Sequence, residues 1–221
     1  ELTSFLAAGE PPVYVGFGSM TGNDPERLTT IALEALRLSG RRGVLLSGWA
    51  GLAAGDLPES VLKLDAVPHD WLFPRMAAVV HHGGVGTTHV GLRAGVPNIV
   101  VPFFGDQPFW GDRVHALGAG PRPIVLEELT AERLAESIGL ATSDAAMRAR
   151  AAEVGRLIQA DSSFRRHVVT IRFALRVPMP LPCLIVSSVD TQAIQDQRIT
   201  DDALLNVSID LNEALSIDVK T

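Results

Sequence analysis

Residues 77–94 hold the feature that most narrows the possible folds. An apolar run, Ala77-Ala78-Val79-Val80, reads as a short buried strand. The turn His81-His82-Gly83-Gly84-Val85-Gly86 follows, and then a segment that can be helical from about Gly86 to Ala94. A strand that passes through a tight turn into a helix is the repeating unit of parallel sheets, whose neighbouring strands need a crossover to bring the chain back. The same order sets backbone N–H groups and the positive end of a helix where a phosphate can sit. Gly83, Gly84 and Gly86 lack a Cβ, so the turn tolerates positive φ and a closely approaching ligand. Thr87 and Thr88 stand at the helix start, placed either to cap it or to donate to phosphate oxygens.

Alternation of the same kind runs through the chain. Strands are predicted at 13–17, 43–47, 61–64, 77–80 and 98–101, with an edge strand at 123–125. Helices are predicted from Asp24-Pro25-Glu26 to Gly40, as a short turn at 70–75, and at 109–117, 130–141 and 144–160. Strands alternating with helices imply a doubly wound parallel sheet, Rossmann-like, covered on both faces. Ligands of such sheets bind at the carboxyl ends of the strands, where Ser19, His82 and Asp106 all fall.

Composition excludes several classes of partner. Aromatics are 5% of the 221 residues, and 19 Lys plus Arg stand against 25 Asp plus Glu, so no basic stripe exists to neutralise nucleic acid. Cys183 is the single cysteine, which rules out an internal disulfide and fits a reducing compartment. The most apolar region, 168–189, carries Arg172, Arg176 and three prolines, a poor transmembrane segment. The expectation is a soluble, cytoplasmic chain, at most peripheral at membranes.

The runs HHGGVGTT, RAGVP and PFFGDQPFWGDRV together resemble the donor-binding signature of family 1 glycosyltransferases, in particular the sterol glucosyltransferase branch. The likeness extends from about Pro12 to about Asp161 and takes in Val15-Gly16-Phe17-Gly18-Ser19-Met20 and Val67-Pro68-His69-Asp70-Trp71-Leu72. It implies the C-terminal half of a two-domain GT-B enzyme: a linker remnant at 1–12, a nucleotide-sugar-binding domain at 13–161, and a tail at 162–221 that matches nothing in the family.

The implied reaction is inverting transfer of glucose from UDP-glucose to a hydroxyl of a sterol or other lipophilic acceptor. By the same resemblance, His82 contacts the donor diphosphate, Ser19, Gly84, Gly86, Thr87 and Thr88 line it, and Asp106 and Gln107 read sugar hydroxyls. His69 lies toward the uracil and ribose. The catalytic base is expected in an N-terminal domain, through which the acceptor also binds, so these residues alone should transfer little or no sugar. No metal and no cofactor beyond the donor are expected.

Two departures from the plant pattern stand out: Ala66 occupies the position of the stacking tryptophan, and Val90 that of a ribose-holding glutamate. Trp71 and Trp110 read as core residues, and His81 reads equally as a ligand or a turn-packing residue. Two other classes compete: a non-catalytic nucleotide-sugar-binding module, and a dinucleotide-dependent enzyme. Against the second, the first strand leads into no G-x-G-x-x-G, and Ser47-Gly48 replaces the acidic residue at the end of the second.

Overall fold

The structure, a computed structural model, describes residues 1–18, 25–46 and 57–160. Ser19, the Asp24 cap, Ser47 and the tail 162–221 with Cys183 lie outside the described residues. The described residues contain five parallel strands: β1 (Val13–Gly16), β2 (Gly43–Leu46), β3 (Val61–Leu64), β4 (Ala78–His81) and β5 (Asn98–Val100). Their order in the sheet is β3-β2-β1-β4-β5. The chain builds outward from β1 to β3 and then returns to lay β4 along the other side of β1, with Val13 opposite Ala78 and Gly16 opposite His81. That reversal opens a crevice between the carboxyl ends of β1 and β4, the place where doubly wound sheets bind ligands.

Side-chain alternation along β1 sorts the core into two layers. Val13, Val15 and Phe17 face one way, onto Leu28, Ala32, Ala35 and Leu36 of α2 (Pro25–Ser39) and Leu134, Ile138 and Ala141 of α6 (Ala131–Ser143). Tyr14, Val44 and Val79 face the other, onto Leu72 of α3 (His69–Leu72) and Phe73 and Met76 just beyond it. Leu2, Phe5 and Leu6 of α1 (Leu2–Ala7) pack on this second layer, as do Val90 and Ala94 of α4 (Val85–Ala94). β1, β4 and β5 are buried along their whole length, as strands covered on both faces of a parallel sheet are, while the ends of β2 and of the edge strand β3 are partly exposed. Residues 1–12, read from sequence as linker, thus carry a helix docked on the domain, with Arg42 over the Phe5 ring at 4.1 Å.

Helix ends follow side-chain chemistry. Thr130 accepts the Arg133 N–H at 3.3 Å to start α6. Asp144 accepts the N–H groups of Ala146 and Met147, at 2.8 and 3.0 Å, to start α7 (Ala145–Ala160).

Three predicted elements differ. β4 runs one residue further than its apolar run, because His81 is buried with its polar atoms satisfied inside the sheet. The helix predicted from Phe109 begins at Gln107 as α5 (Gln107–Ala116), with Pro108 in its first turn, where a missing N–H does no harm. Residues 123–125 form no strand. Ile124 donates one backbone hydrogen bond to Val100, at 3.0 Å, and the chain then turns into a 3-10 helix, Leu126–Glu128.

Candidate functional site

At the carboxyl ends of β1 and β4, Gly18 follows the first strand and the His82 ring and Gly84 follow the second. A Cβ on Gly18 would lie 3.7 Å from His82 Cε1, and one on Gly84 would fall 2.5 Å from His82 Nε2. The His82 ring therefore lies against Gly84 at a range that only glycine permits. Its Nδ1 is buried and has no hydrogen-bond partner among the described residues, a state that costs free energy unless a ligand supplies the partner. Burial holds the His82 pKa below its ordinary value, and the nearby Asp106 carboxylate partly offsets the shift. His82 is thus neutral at pH 7 when the site is empty.

His82 leads into the N-terminus of α4. Gly84 is the N-cap and brings no side-chain cap, so the N–H groups of the first turn, from Gly84 to Thr87, keep their donor capacity. The two threonines divide. Thr88 is buried and its hydroxyl donates back to the Gly84 carbonyl at 2.9 Å, so that proton faces the helix and not the crevice. The Thr87 hydroxyl is half-buried and engages no described residue.

His81 is the frame of this turn. Its Nε2 donates to Asn98 Oδ1 at 2.9 Å and its Nδ1 accepts the Gly83 N–H at 3.0 Å. Asn98 is fixed in turn by donating to the Val96 carbonyl at 2.8 Å. The Asn98 amide fits beneath α4 only because Gly91 has no side chain, since a Cβ there would come within 2.0 Å of Oδ1. Of the two readings of His81, the geometry selects the turn-packing one.

Burial, its largest influence, pushes the His81 pKa down to about 4. The unfolded imidazole titrates near 6.5, so between about pH 6.5 and pH 4 the unfolded chain binds a proton that the native state refuses. Stability should therefore fall as pH drops through that window, by on the order of 3 kcal/mol from this group, and level off below it. His69, His82 and His89 are depressed by burial with the same sign. Urea denaturation from pH 7 to pH 4 measures the effect. In His81→Asn the dependence should become shallower, and an unchanged slope would refute the assignment.

The second wall is the start of α5. A Cβ on Gly83, whose φ is +90°, would lie 3.0 Å from the Gln107 carbonyl oxygen and 2.7 Å from Val100 Cγ1, so the glycine turn and Gln107 are in contact. Gln107 is buried, and its Oε1 accepts the N–H groups of Phe103 and Phe104, at 2.7 and 3.2 Å. Two N–H donors can only be met by the carbonyl end, which sets the amide orientation and leaves Nε2 to donate elsewhere. Asp106, read from sequence as a loop residue, is the N-cap of α5 and exposed, yet its carboxylate caps no N–H of the helix. It accepts the Trp110 indole N–H instead, at 2.7 Å.

His69 opens α3, where its Nε2 meets the Tyr14 hydroxyl at 3.1 Å and its ring stacks on Phe73 at 4.5 Å. Burial raises the Tyr14 pKa and keeps its proton in place. Neither tryptophan is the core residue expected. Trp71 is 38% exposed and covered by the Arg75 guanidinium at 4.1 Å, while Trp110 is half-buried at the Asp106 carboxylate. Asn98 and Trp110 are the site residues that sequence reasoning missed. The signal for Trp110 was its spacing of four from Asp106, one helical turn. Among the described residues no group of three or more His, Cys, Asp or Glu is placed to hold a metal ion.

Residues 46–174 match the family described as erythromycin biosynthesis protein CIII-like, C-terminal domain. The chain is 52% identical over 147 residues to sterol 3-beta-glucosyltransferase UGT80A2 of Arabidopsis thaliana, covering 65% of this chain and 23% of that protein. Among solved structures it resembles the glycotransferase of kitacinnamycin, with a TM-score of 0.61 and 31% identity over 69% of this chain and 40% of that one. It also resembles the glycosyltransferase VinC in complex with dTDP, with a TM-score of 0.55 and 26% identity over 71% of this chain and 40% of that one. The chain thus spans less than half the length of each of these proteins. By family match, sequence and fold, it belongs to the erythromycin biosynthesis protein CIII-like C-terminal domains of the family 1 glycosyltransferases, which have the GT-B architecture.

Proposed function

We propose that the chain is the donor-binding part of an inverting glycosyltransferase that moves glucose from UDP-glucose to a hydroxyl of a sterol or other lipophilic acceptor. The observation that carries the reading is one crevice that gathers three features: the unpartnered buried Nδ1 of His82, the uncapped N-terminus of α4, and the Asp106-Gln107 pair. Similarity to the Arabidopsis sterol 3-beta-glucosyltransferase supports the sterol and glucose, and the dTDP of VinC supports a nucleoside diphosphate.

In the reaction the acceptor oxygen attacks the anomeric carbon, the bond from that carbon to the phosphate oxygen breaks, and its electron pair leaves on UDP. Charge then grows on the diphosphate. An N–H of His82 and the N–H groups from Gly84 to Thr87 stabilise it, with the helix dipole adding to their effect. Thr87 adds a hydroxyl donor, and the family resemblance assigns Ser19 to the same diphosphate. His69 flanks the uridine. Asp106 accepts from, and Gln107 donates to, sugar hydroxyls. The base that takes the acceptor proton is supplied by a second domain, so these residues alone bind donor with little or no transfer. No metal or cofactor besides the donor enters the scheme. The proposed location is the cytoplasm, at most peripheral at membranes; no described helix is long and apolar enough to cross one.

Calorimetric titration with UDP and UDP-glucose tests the sugar contact. Asp106→Ala should lower the affinity for UDP-glucose about tenfold, the effect of losing one charged hydrogen bond, and leave that for UDP unchanged. Equal losses for both ligands would contradict a sugar-reading role.

A further inference from the structure

An aspartate at an N-cap ordinarily accepts N–H groups of its own helix. Asp106 does not: it stands in helical backbone conformation with φ −86° and ψ −3°, makes no cap bond, and turns its carboxylate to the Trp110 indole one turn on. Gln107 beside it is held as firmly by two backbone donors. Both members of the pair are thus oriented before any ligand arrives, and each keeps one polar function clear: Asp106 Oδ1 to accept, Gln107 Nε2 to donate. Phe109 packs edge-on against the Trp110 ring at 5.1 Å, which steadies the indole although Phe109 is itself 45% exposed.

We propose that Trp110 is a positioning residue for sugar recognition. Its indole N–H holds Oδ2 of Asp106, so that Oδ1 is presented to a single sugar hydroxyl in one fixed direction. The inference rests on the donor-binding reading above and deepens it. In the empty protein an exposed hydrogen bond of this kind contributes little to stability. Its effect is on binding, because a sugar that finds the carboxylate already oriented does not have to immobilise it.

The test is calorimetric titration of UDP and UDP-glucose into the full chain and three variants. Trp110→Phe keeps an aromatic ring and removes the N–H. It should weaken UDP-glucose binding about five- to tenfold while leaving UDP within twofold of wild type. Trp110→Gln has little of the ring's bulk but can donate an N–H to an aspartate four residues earlier, so it should recover part of the loss, which a packing role alone would not allow. Asp106→Ala separates loss of the sugar contact from loss of its positioning. If Asp106→Ala loses UDP-glucose affinity and Trp110→Phe does not, the positioning role is overturned and the donor reading stands. Failure of Trp110→Gln to recover any of the loss, or equal loss of UDP in Trp110→Phe, also overturns it. If Asp106→Ala binds both ligands as wild type does, the sugar reading falls and takes the role of Trp110 with it.

Discussion

His82→Ala is expected to weaken UDP binding about ten- to a hundredfold, the effect of removing one or two hydrogen bonds to a charged group, with the fold intact. The wild-type site carries a buried nitrogen without a partner among the described residues, so a diphosphate oxygen that reaches it completes a hydrogen bond already lost to water. Alanine removes both the donor and the cost of its burial, which leaves stability equal or slightly higher while affinity drops. UDP-glucose adds a sign that can be checked, since its diphosphate has no group titrating near neutrality. Burial keeps His82 deprotonated in the empty site, and an anion beside it favours the charged imidazole. Affinity for UDP-glucose should therefore rise as pH is lowered from 7.5 to 6, and this rise should vanish in His82→Ala. Calorimetry at several pH values reads both effects.

Gly83→Ala should do more damage. The residue sits at φ +90°, where an L side chain is strained, and its Cβ would press on Val100 Cγ1 at 2.7 Å and the Gln107 carbonyl at 3.0 Å. Backbone strain and overpacking together cost about 2–5 kcal/mol. That is a large fraction of the stability of an ordinary domain, about 5–15 kcal/mol. Relief can come only by moving the turn away from α5, which would separate the phosphate cradle from Asp106 and Gln107. The variant should thus show a lower denaturation midpoint and, in its folded fraction, weak binding of UDP-glucose. Gly105→Ala provides a control: its φ is +68° but a Cβ there would meet nothing within 4 Å, so only the backbone cost applies.

The sheet was legible because β1, β2 and β3 are purely local signals, such as Val13-Tyr14-Val15 and Val61-Leu62 between turn residues. What local patterning could not show was burial of a polar residue through a distant partner. His81 ends the apolar run in sequence but sits in β4, satisfied by Asn98, 17 residues away. The start of α5 was missed for a related reason. Pro108 belongs to the first turn of the helix, a place that suits a residue without an N–H, and not to the loop before it.

The tryptophans mark a further limit. Apolar bulk suggested the core for Trp71 and Trp110, but an indole also has a face for Arg75 and an N–H for Asp106. Convergence of His82, Gly83 and Gln107 was legible only as an expectation about strand ends. The contact itself depends on β5 pairing alongside β4, which brings the turn after one strand against the helix start after the other and which no local feature of the chain specifies.

Titration of the purified chain with UDP and with NAD tests most directly whether this crevice binds a uridine diphosphate. Saturable binding of one UDP per chain, with no heat from NAD, is the predicted result. A folded chain that binds NAD and ignores UDP would contradict the account.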